Sequence, residues 1–367
     1  MSKSLPVLLY HSISPWTNPI SVDPDVFESH LMAMTAAGWR GVTLAEAAAH
    51  IRDGRELSGK AALITFDDGF LDNHVFAAPL LRKHGHHGVV FAVTGRIVDE
   101  ELPRPTLDDV WNGFVDMTDL PQVQNPVRKG ADGLRVRREL FFSWKEARAM
   151  EASGTLRVEG HSFRHRSVFT GPDFKSVFRP DVRKRTFDRV EAEVVFGLPR
   201  FDLGPALAHR AFLPSAEVYD LARQLTPQNR IEAHQFFSDP TNEAKLVSQL
   251  RRIPKERRGR LEDDDEFRER LTEELIACRD GLMNGLGRMP EALAWPWGRY
   301  CPQALEIARA LGFTLFFSTT LGPNLPKANP LHIHRFKAKE KSPKWLLSRL
   351  RIYSKPLLAR VYGTLHG

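Results

Sequence analysis

Apolar and polar positions along the chain alternate between short apolar runs and longer amphipathic stretches. The runs 5–10 (LPVLLY), 61–66 (AALITF), 88–95 (GVVFAVTG), 155–160 (TLRVEG), 291–297 (EALAWPW), 313–319 (FTLFFST) and 331–336 (LHIHRF) have the length and branched or aromatic content of buried strands. Between them, 26–38, 44–54, 72–85, 143–154, 266–287 and 303–312 carry helical spacing. Gly38, Gly54, Gly85 and Gly154 stand where a left-handed C-cap would end a helix, and Ser143 and Glu146 have capping-box spacing. This β-α alternation predicts an α/β fold with a mostly parallel sheet, curled into a deformed (β/α) barrel. Two long segments, about 99–142 and 166–265, break the alternation and are rich in Pro and Arg. They are expected to form lids or an inserted lobe on a domain spanning 1–340, followed by a tail over 341–367.

Composition changes this picture little. An apolar fraction of 42% and a charged fraction of 26% are those of a soluble globular chain. The opening MSKSLPVLLYHSIS has too short an apolar run for a signal-peptide core, and no stretch approaches a membrane span. The expectation is a cytoplasmic protein. Cys278 and Cys301 do not make a disulfide framework.

The net charge of +7 is unevenly placed: from Arg335 onward nine basic residues face one acid, Glu340, so the remainder sums to −1. No nucleic-acid partner is expected from so localised an excess. Within 341–363 the basic residues interleave with Trp345, Leu346, Leu350, Ile352, Tyr353, Leu357 and Leu358. Such a basic amphipathic segment either packs onto the barrel or makes a peripheral contact with an anionic (inner) membrane surface, a contact that Pro356 weakens.

Candidate chemistry gathers at strand ends. Asp67 and Asp68 follow the run 61–66, His161 follows 155–160, His11 follows 5–10, and Trp295, Pro296 and Trp297 end the run near 291–297. The C-terminal rim of parallel strands is where α/β barrels build their sites. His161 and His165 are four apart, a spacing that on a helical turn aims both imidazoles at one ion. The cluster KHGHHG (83–88) lies on the opposite rim and has the character of an ordinary loop.

TFDDG, the His-Ser-x-x-His of HSFRH, and AWPWG resemble three motifs of the polysaccharide deacetylase family, the NodB-homology or carbohydrate esterase family 4 enzymes. The resemblance covers about 5–98, 143–168 and 266–336. It implies a metal-dependent hydrolase of linear amide bonds, removing the N-acetyl group of an amino sugar in a polysaccharide or in its nucleotide- or lipid-linked precursor. It further implies one divalent metal, commonly zinc, on Asp68, His161 and His165, with Asp67 as general base and the Trp295–Trp297 turn near the substrate and its oxyanion. VLLYHSI resembles the circularly permuted branch, in which the histidine acid comes first, pointing to His11 over His332 or His334. Where many relatives carry an arginine that orients the base, this chain has Ala294, which leaves the orienting group of Asp67 unassigned. The rival readings are a deformylase or amidase on a small non-sugar amide and an inactive glycan-binding module.

Overall fold

The computed structural model describes residues 4–16, 20–100, 102–121, 123, 127–130, 133–180 and 190–366, with backbone alone at 127–130 and 133–136. Parts of both long inserts and Gly367 lie outside the described residues.

Eight strands form the main sheet: β1 (Val7–Tyr10), β2 (Trp39–Gly41), β3 (Lys60–Asp68), β4 (Gly88–Ala92), β5 (Leu156–Gly160), β6 (Ala292–Ala294), β7 (Leu315–Phe317) and β8 (Phe336–Lys337). Their order is β7-β6-β5-β4-β3-β1-β8, with β2 beside the start of β3, and every pairing is parallel. Both faces are covered, as a parallel sheet requires. Val7, Leu63, Val89, Phe91, Ala294 and Phe317 fill the inside of the curl. Leu8, Ile64, Phe66, Val90, Val158 and Leu293 pack outward against the helices. The fold is thus the deformed (β/α) barrel that the alternation predicts.

The run 331–336 differs from expectation. Ile333 forms a lone parallel bridge to Phe317 at one edge of the sheet, and regular pairing begins only at Phe336, opposite Leu8 at the other edge. This segment must cross between the two edges to close the curl, so it cannot stay in register with either neighbour throughout.

Around the sheet, the helix Trp144–Ala152 starts from the Ser143–Glu146 capping box, and Asp264–Leu286 is capped by Asp263 and ends at Gly287 with φ 69°. These two helices cross closely at Gly285, where an added Cβ would lie 2.1 Å from Cε3 of Trp144.

The second insert forms a lobe around an antiparallel hairpin (Ser167–Val177 with Pro199–Pro205) and the helices Ala216–Leu225, Arg230–Ser238 and Pro240–Arg252. It has its own apolar centre, which includes Phe169, Phe201, Phe212, Val218, Leu246 and Leu250.

The tail is two helices, Pro343–Tyr353 and Pro356–His366. Its apolar positions divide: Leu346, Leu350, Tyr353 and Ala359 are buried, whereas Leu357, Leu358, Val361 and Leu365 are exposed. Among the described residues no helix is long and apolar enough to cross a membrane.

Candidate active site

At the C-terminal mouth of the sheet lies a cleft of about 810 Å³ whose wall includes His11, Asp67, Asp68, His161, His165 and Trp297. Local backbone geometry explains how adjacent aspartates both reach it. Asp67 and Asp68 are the last two residues of β3, paired with Phe91 and Ala92, rather than residues beyond the strand. Successive strand side chains point to opposite faces, so a regular backbone would send one carboxylate out of the cleft. Asp68 has φ 75°, which breaks that alternation. Of the five described non-glycine residues with positive φ, four belong to this site: Asp68, Ser162, His165 and Trp297. Each left-handed non-glycine residue costs on the order of 1–3 kcal/mol, a strain that clusters at functional sites.

His161 and His165 are not on a helical turn as their spacing suggests. Their loop bends at Ser162 and again at His165, and the Ser162 hydroxyl accepts a hydrogen bond from the His165 backbone N–H at 3.0 Å. The result is equivalent: the rings lie 4.9 Å apart.

One ligand atom each from Asp68, His161 and His165 lies within 4.8 Å of the others. Oδ1 of Asp68 is 3.6 Å from Nε2 of His165 and 3.9 Å from Nε2 of His161. These distances are too long for hydrogen bonds, so the atoms face a common space rather than each other. Nδ1 of His161 donates to the Ala294 carbonyl at 2.8 Å, which fixes the ring with Nε2 towards the carboxylate, the nitrogen a cation would take. Two imidazoles and a carboxylate in this arrangement fit a divalent cation. Burial opposes ionisation of Asp68, but the imidazoles of His165, His11 and His161 outweigh it and hold the carboxyl well below the usual range.

Asp67 is held by a residue that sequence reasoning did not assign. Nη1 and Nη2 of Arg335 donate to its two oxygens at 2.7 and 2.9 Å, and Nε of Arg335 donates to the Ser318 carbonyl at 2.9 Å. Both side chains are buried. Against the upward push of burial, Arg335 and then His161 hold the Asp67 carboxyl below its ordinary value. Arg335 is therefore the group that fixes the Asp67 carboxylate, the contact left unassigned at Ala294. The signal for it was an arginine amid the otherwise apolar close of the barrel, but the pair is 268 residues apart in the chain.

His11 lies just past β1, and the side-chain amide of Asn73 donates to its carbonyl at 2.9 Å. Burial pushes its imidazole below the ordinary value, partly offset by Asp68 and Asp67. His332 and His334 do not line the cleft. Both instead meet the Thr320 hydroxyl, at 2.8 and 2.9 Å.

The aromatic turn is split. Trp297, 43% exposed, sits on the cleft with its ring 4.2 Å from that of His165. Trp295 is fully buried and stacks between Tyr300 and Phe316, at 4.8 and 5.5 Å, so no face is left for a sugar. Trp295, the last residue before the turn, therefore completes the core. Pro296 is buried as well, and lacks the N–H an oxyanion would need.

Neither long insert contributes to the cleft wall among the described residues. The outer wall comes from the C-terminal segment, through Lys337, Lys339, Trp345, Arg349, Tyr353 and Tyr362.

Comparison with known proteins agrees with this geometry. The family model for polysaccharide deacetylase matches residues 54–193, which contain Asp67, Asp68, His161 and His165. A curated protein named "Putative polysaccharide deacetylase YxkH", from Bacillus subtilis (strain 168), is 38% identical over 89 residues, 24% of this chain. The match spans about a third of that relative's length, 32%. Among solved structures, a de-N-acetylase from Aggregatibacter actinomycetemcomitans superposes with a TM-score of 0.59 at 17% identity, covering 94% of this chain and 99% of that one. The deacetylase domain of BpsB from Bordetella bronchiseptica gives 0.56 at 18% identity, covering 92% and 97%. IcaB from Ammonifex degensii gives 0.54 at 18%, covering 95% and 97%. At such identities these three share the fold.

Proposed function

We propose that this chain, which matches the polysaccharide deacetylase family model over residues 54–193, is a metal-dependent N-deacetylase of an N-acetylated amino sugar, in a glycan or in its nucleotide- or lipid-linked precursor. The observation that carries this reading is the convergence of Asp68, His161 and His165 with Asp67 and His11 in one cleft.

Asp68, His161 and His165 would hold the cation, and zinc suits a donor set of two imidazoles and a carboxylate. Bound there, it supplies Lewis acidity to an amide carbonyl and to water. Asp67 accepts the proton of the attacking water. Each of its oxygens keeps a second lone pair beyond those used by Arg335, and the depressed pKa keeps it ionised. The backbone at Trp297 is our candidate donor to the developing oxyanion. His11 gives its proton to the departing amine, and burial makes its imidazolium a stronger acid. The position of His11 on the cleft, away from His332 and His334, supports the N-terminal-histidine branch.

The test is acetate release from N-acetyl sugars in free, nucleotide-linked and lipid-linked form. Asp67→Asn and His11→Ala should each lower kcat by about 10²–10⁴-fold, the usual worth of general acid–base catalysis, while His332→Ala should leave it largely intact. Full turnover in Asp67→Asn would reject the assignment.

A further inference from the structure

The cleft is far more cationic than removal of a neutral acetyl group from a neutral sugar requires. Five guanidinium or ammonium groups line it against the two carboxylates Asp67 and Asp68, and one of those carboxylates is already paired with Arg335. A bound divalent cation would add to the excess.

The surplus has an ordered origin. Arg335, Lys337 and Lys339 are two residues apart, so along an extended segment they share one face, alternating with the buried Phe336 and Ala338. Extended pairing continues at least to Ala338, whose N–H donates to the Leu9 carbonyl at 2.9 Å. The innermost member, Arg335, holds the proposed base, and Lys337 and Lys339 step outward to the mouth, both exposed. Lys337 pairs in register with Leu9, two residues before His11 on the adjacent strand. Strand spacing and rise then set its Cα roughly 8 Å from that of His11.

Arg349, on the helix Pro343–Tyr353, lines the same cleft. Its guanidinium lies 5.3 Å from the ring centre of Trp345 and 4.7 Å from that of Tyr362, so one aromatic from each C-terminal helix flanks it. Such packing fixes the fork while leaving its N–H groups free to meet an anion. Among the described residues, none of Lys337, Lys339 and Arg349 has a carboxylate partner at ion-pair distance.

We propose that Lys337, Lys339 and Arg349 form a phosphate subsite, so that the substrate is an N-acylated amino sugar bearing a phosphate or diphosphate ester next to the reacting residue. The inference rests on the deacetylase reading for what the anion is attached to, and on the cleft alone for the anion itself. Several convergent cations without acidic partners match the two or more negative charges of a phosphate monoester or diphosphate better than the single charge of a sugar carboxylate. Trp345 and Tyr362 add apolar ring surface beyond that point. The C-terminal helices are thus a wall of the substrate cleft.

Two measurements on the metal-loaded 367-residue chain test the proposal. In the first, N-acetylglucosamine 1-phosphate is compared with its methyl glycoside. The phosphorylated sugar should have the higher kcat/KM, and Lys339→Ala or Arg349→Gln should each lower that preference about tenfold, the scale of one charge-assisted hydrogen bond. Nucleoside-diphosphate and alkyl-diphosphate forms of the sugar, the latter in vesicles, distinguish a soluble from a lipid-linked source, and preference for either supports the subsite. Equal use of the methyl glycoside, a preference for a uronate-bearing glycan, or a preference unmoved by both substitutions overturns it.

In the second, inorganic pyrophosphate is titrated calorimetrically. Binding should weaken about tenfold in Lys339→Ala, an exposed position that does not threaten folding. Unchanged affinity in both variants would place the anion elsewhere and overturn the subsite. Because this titration needs no turnover, absence of acetate release from every substrate would reject the deacetylase reading without touching it.

Discussion

Replacing Arg335 with methionine keeps much of its apolar stem but leaves the Asp67 carboxylate, 2% exposed, without its two charge-assisted hydrogen bonds. Removing one partner of a buried ion pair costs about 3–5 kcal/mol, because the other charge stays buried and uncompensated. At roughly 2 °C per kcal/mol for a large domain, the melting midpoint should fall on the order of 6–10 °C. The sign of the pH dependence is diagnostic. In the native chain the Asp67 pKa is depressed, so its contribution to stability is present above the unfolded carboxylate value, about 4, and is lost as pH falls through the folded value. Without Arg335, burial raises that pKa instead, and the carboxylate destabilises the fold as pH rises above about 4. The melting difference between native and Arg335→Met chains should therefore widen from pH 4 to 8. The double variant Asp67→Asn/Arg335→Met, which buries no charge, should recover part of the loss. Turnover should fall by about 10²-fold or more, since misplacement of a catalytic group by an ångström has that effect. Thermal melts across this pH range together with acetate release decide the matter. An Arg335→Met chain with native melting at every pH and native turnover would refute the assigned pairing.

Asp68→Ala and His165→Ala should each abolish stoichiometric divalent metal on elemental analysis of dialysed protein; metal content equal to the native chain would remove the proposed ion from this site. Asp72 is buried, bonded to the Ser12 hydroxyl, and burial raises its pKa to about 7. Between about pH 4 and 7 the folded chain therefore keeps a proton that the unfolded chain has lost, and stability should fall as pH rises through that window. Asp72→Asn should flatten this slope in melts at constant ionic strength. Gly285→Ala should cost about 1–3 kcal/mol in denaturant unfolding, because the new methyl would meet the Trp144 ring at 2.1 Å; an unchanged midpoint would mean that the two helices separate easily.

Much of the barrel follows from short-range rules. The strands β1, β3 and β5 stand where apolar runs end at polar clusters, and the Ser143 capping box and the glycine stops mark helix boundaries, because caps and periodicity depend on a few neighbouring residues. The same locality exposed Asp67, Asp68 and His161 as residues at one rim. It also misled where tertiary packing decides. Trp295 and Trp297 are two residues apart in one motif, yet one completes the core beside Phe316 and the other faces the cleft, since a positive φ at Trp297 turns the backbone between them. The spacing of His161 and His165 suggested a helical turn, whereas two left-handed residues bring the rings together by another route.

What the amino-acid sequence determined alone was the alternation of strand and helix, and the short motifs at the strand ends that carry the chemistry. Tertiary structure decided which distant groups come together: Arg335 with Asp67, and the Lys337–Lys339 ladder, Arg349 and the C-terminal helices around the mouth of the barrel. Those encounters depend on strand order and on how the curled sheet closes. The segment 330–337 bridges its two edges, and no local pattern encodes a contact made across 268 residues.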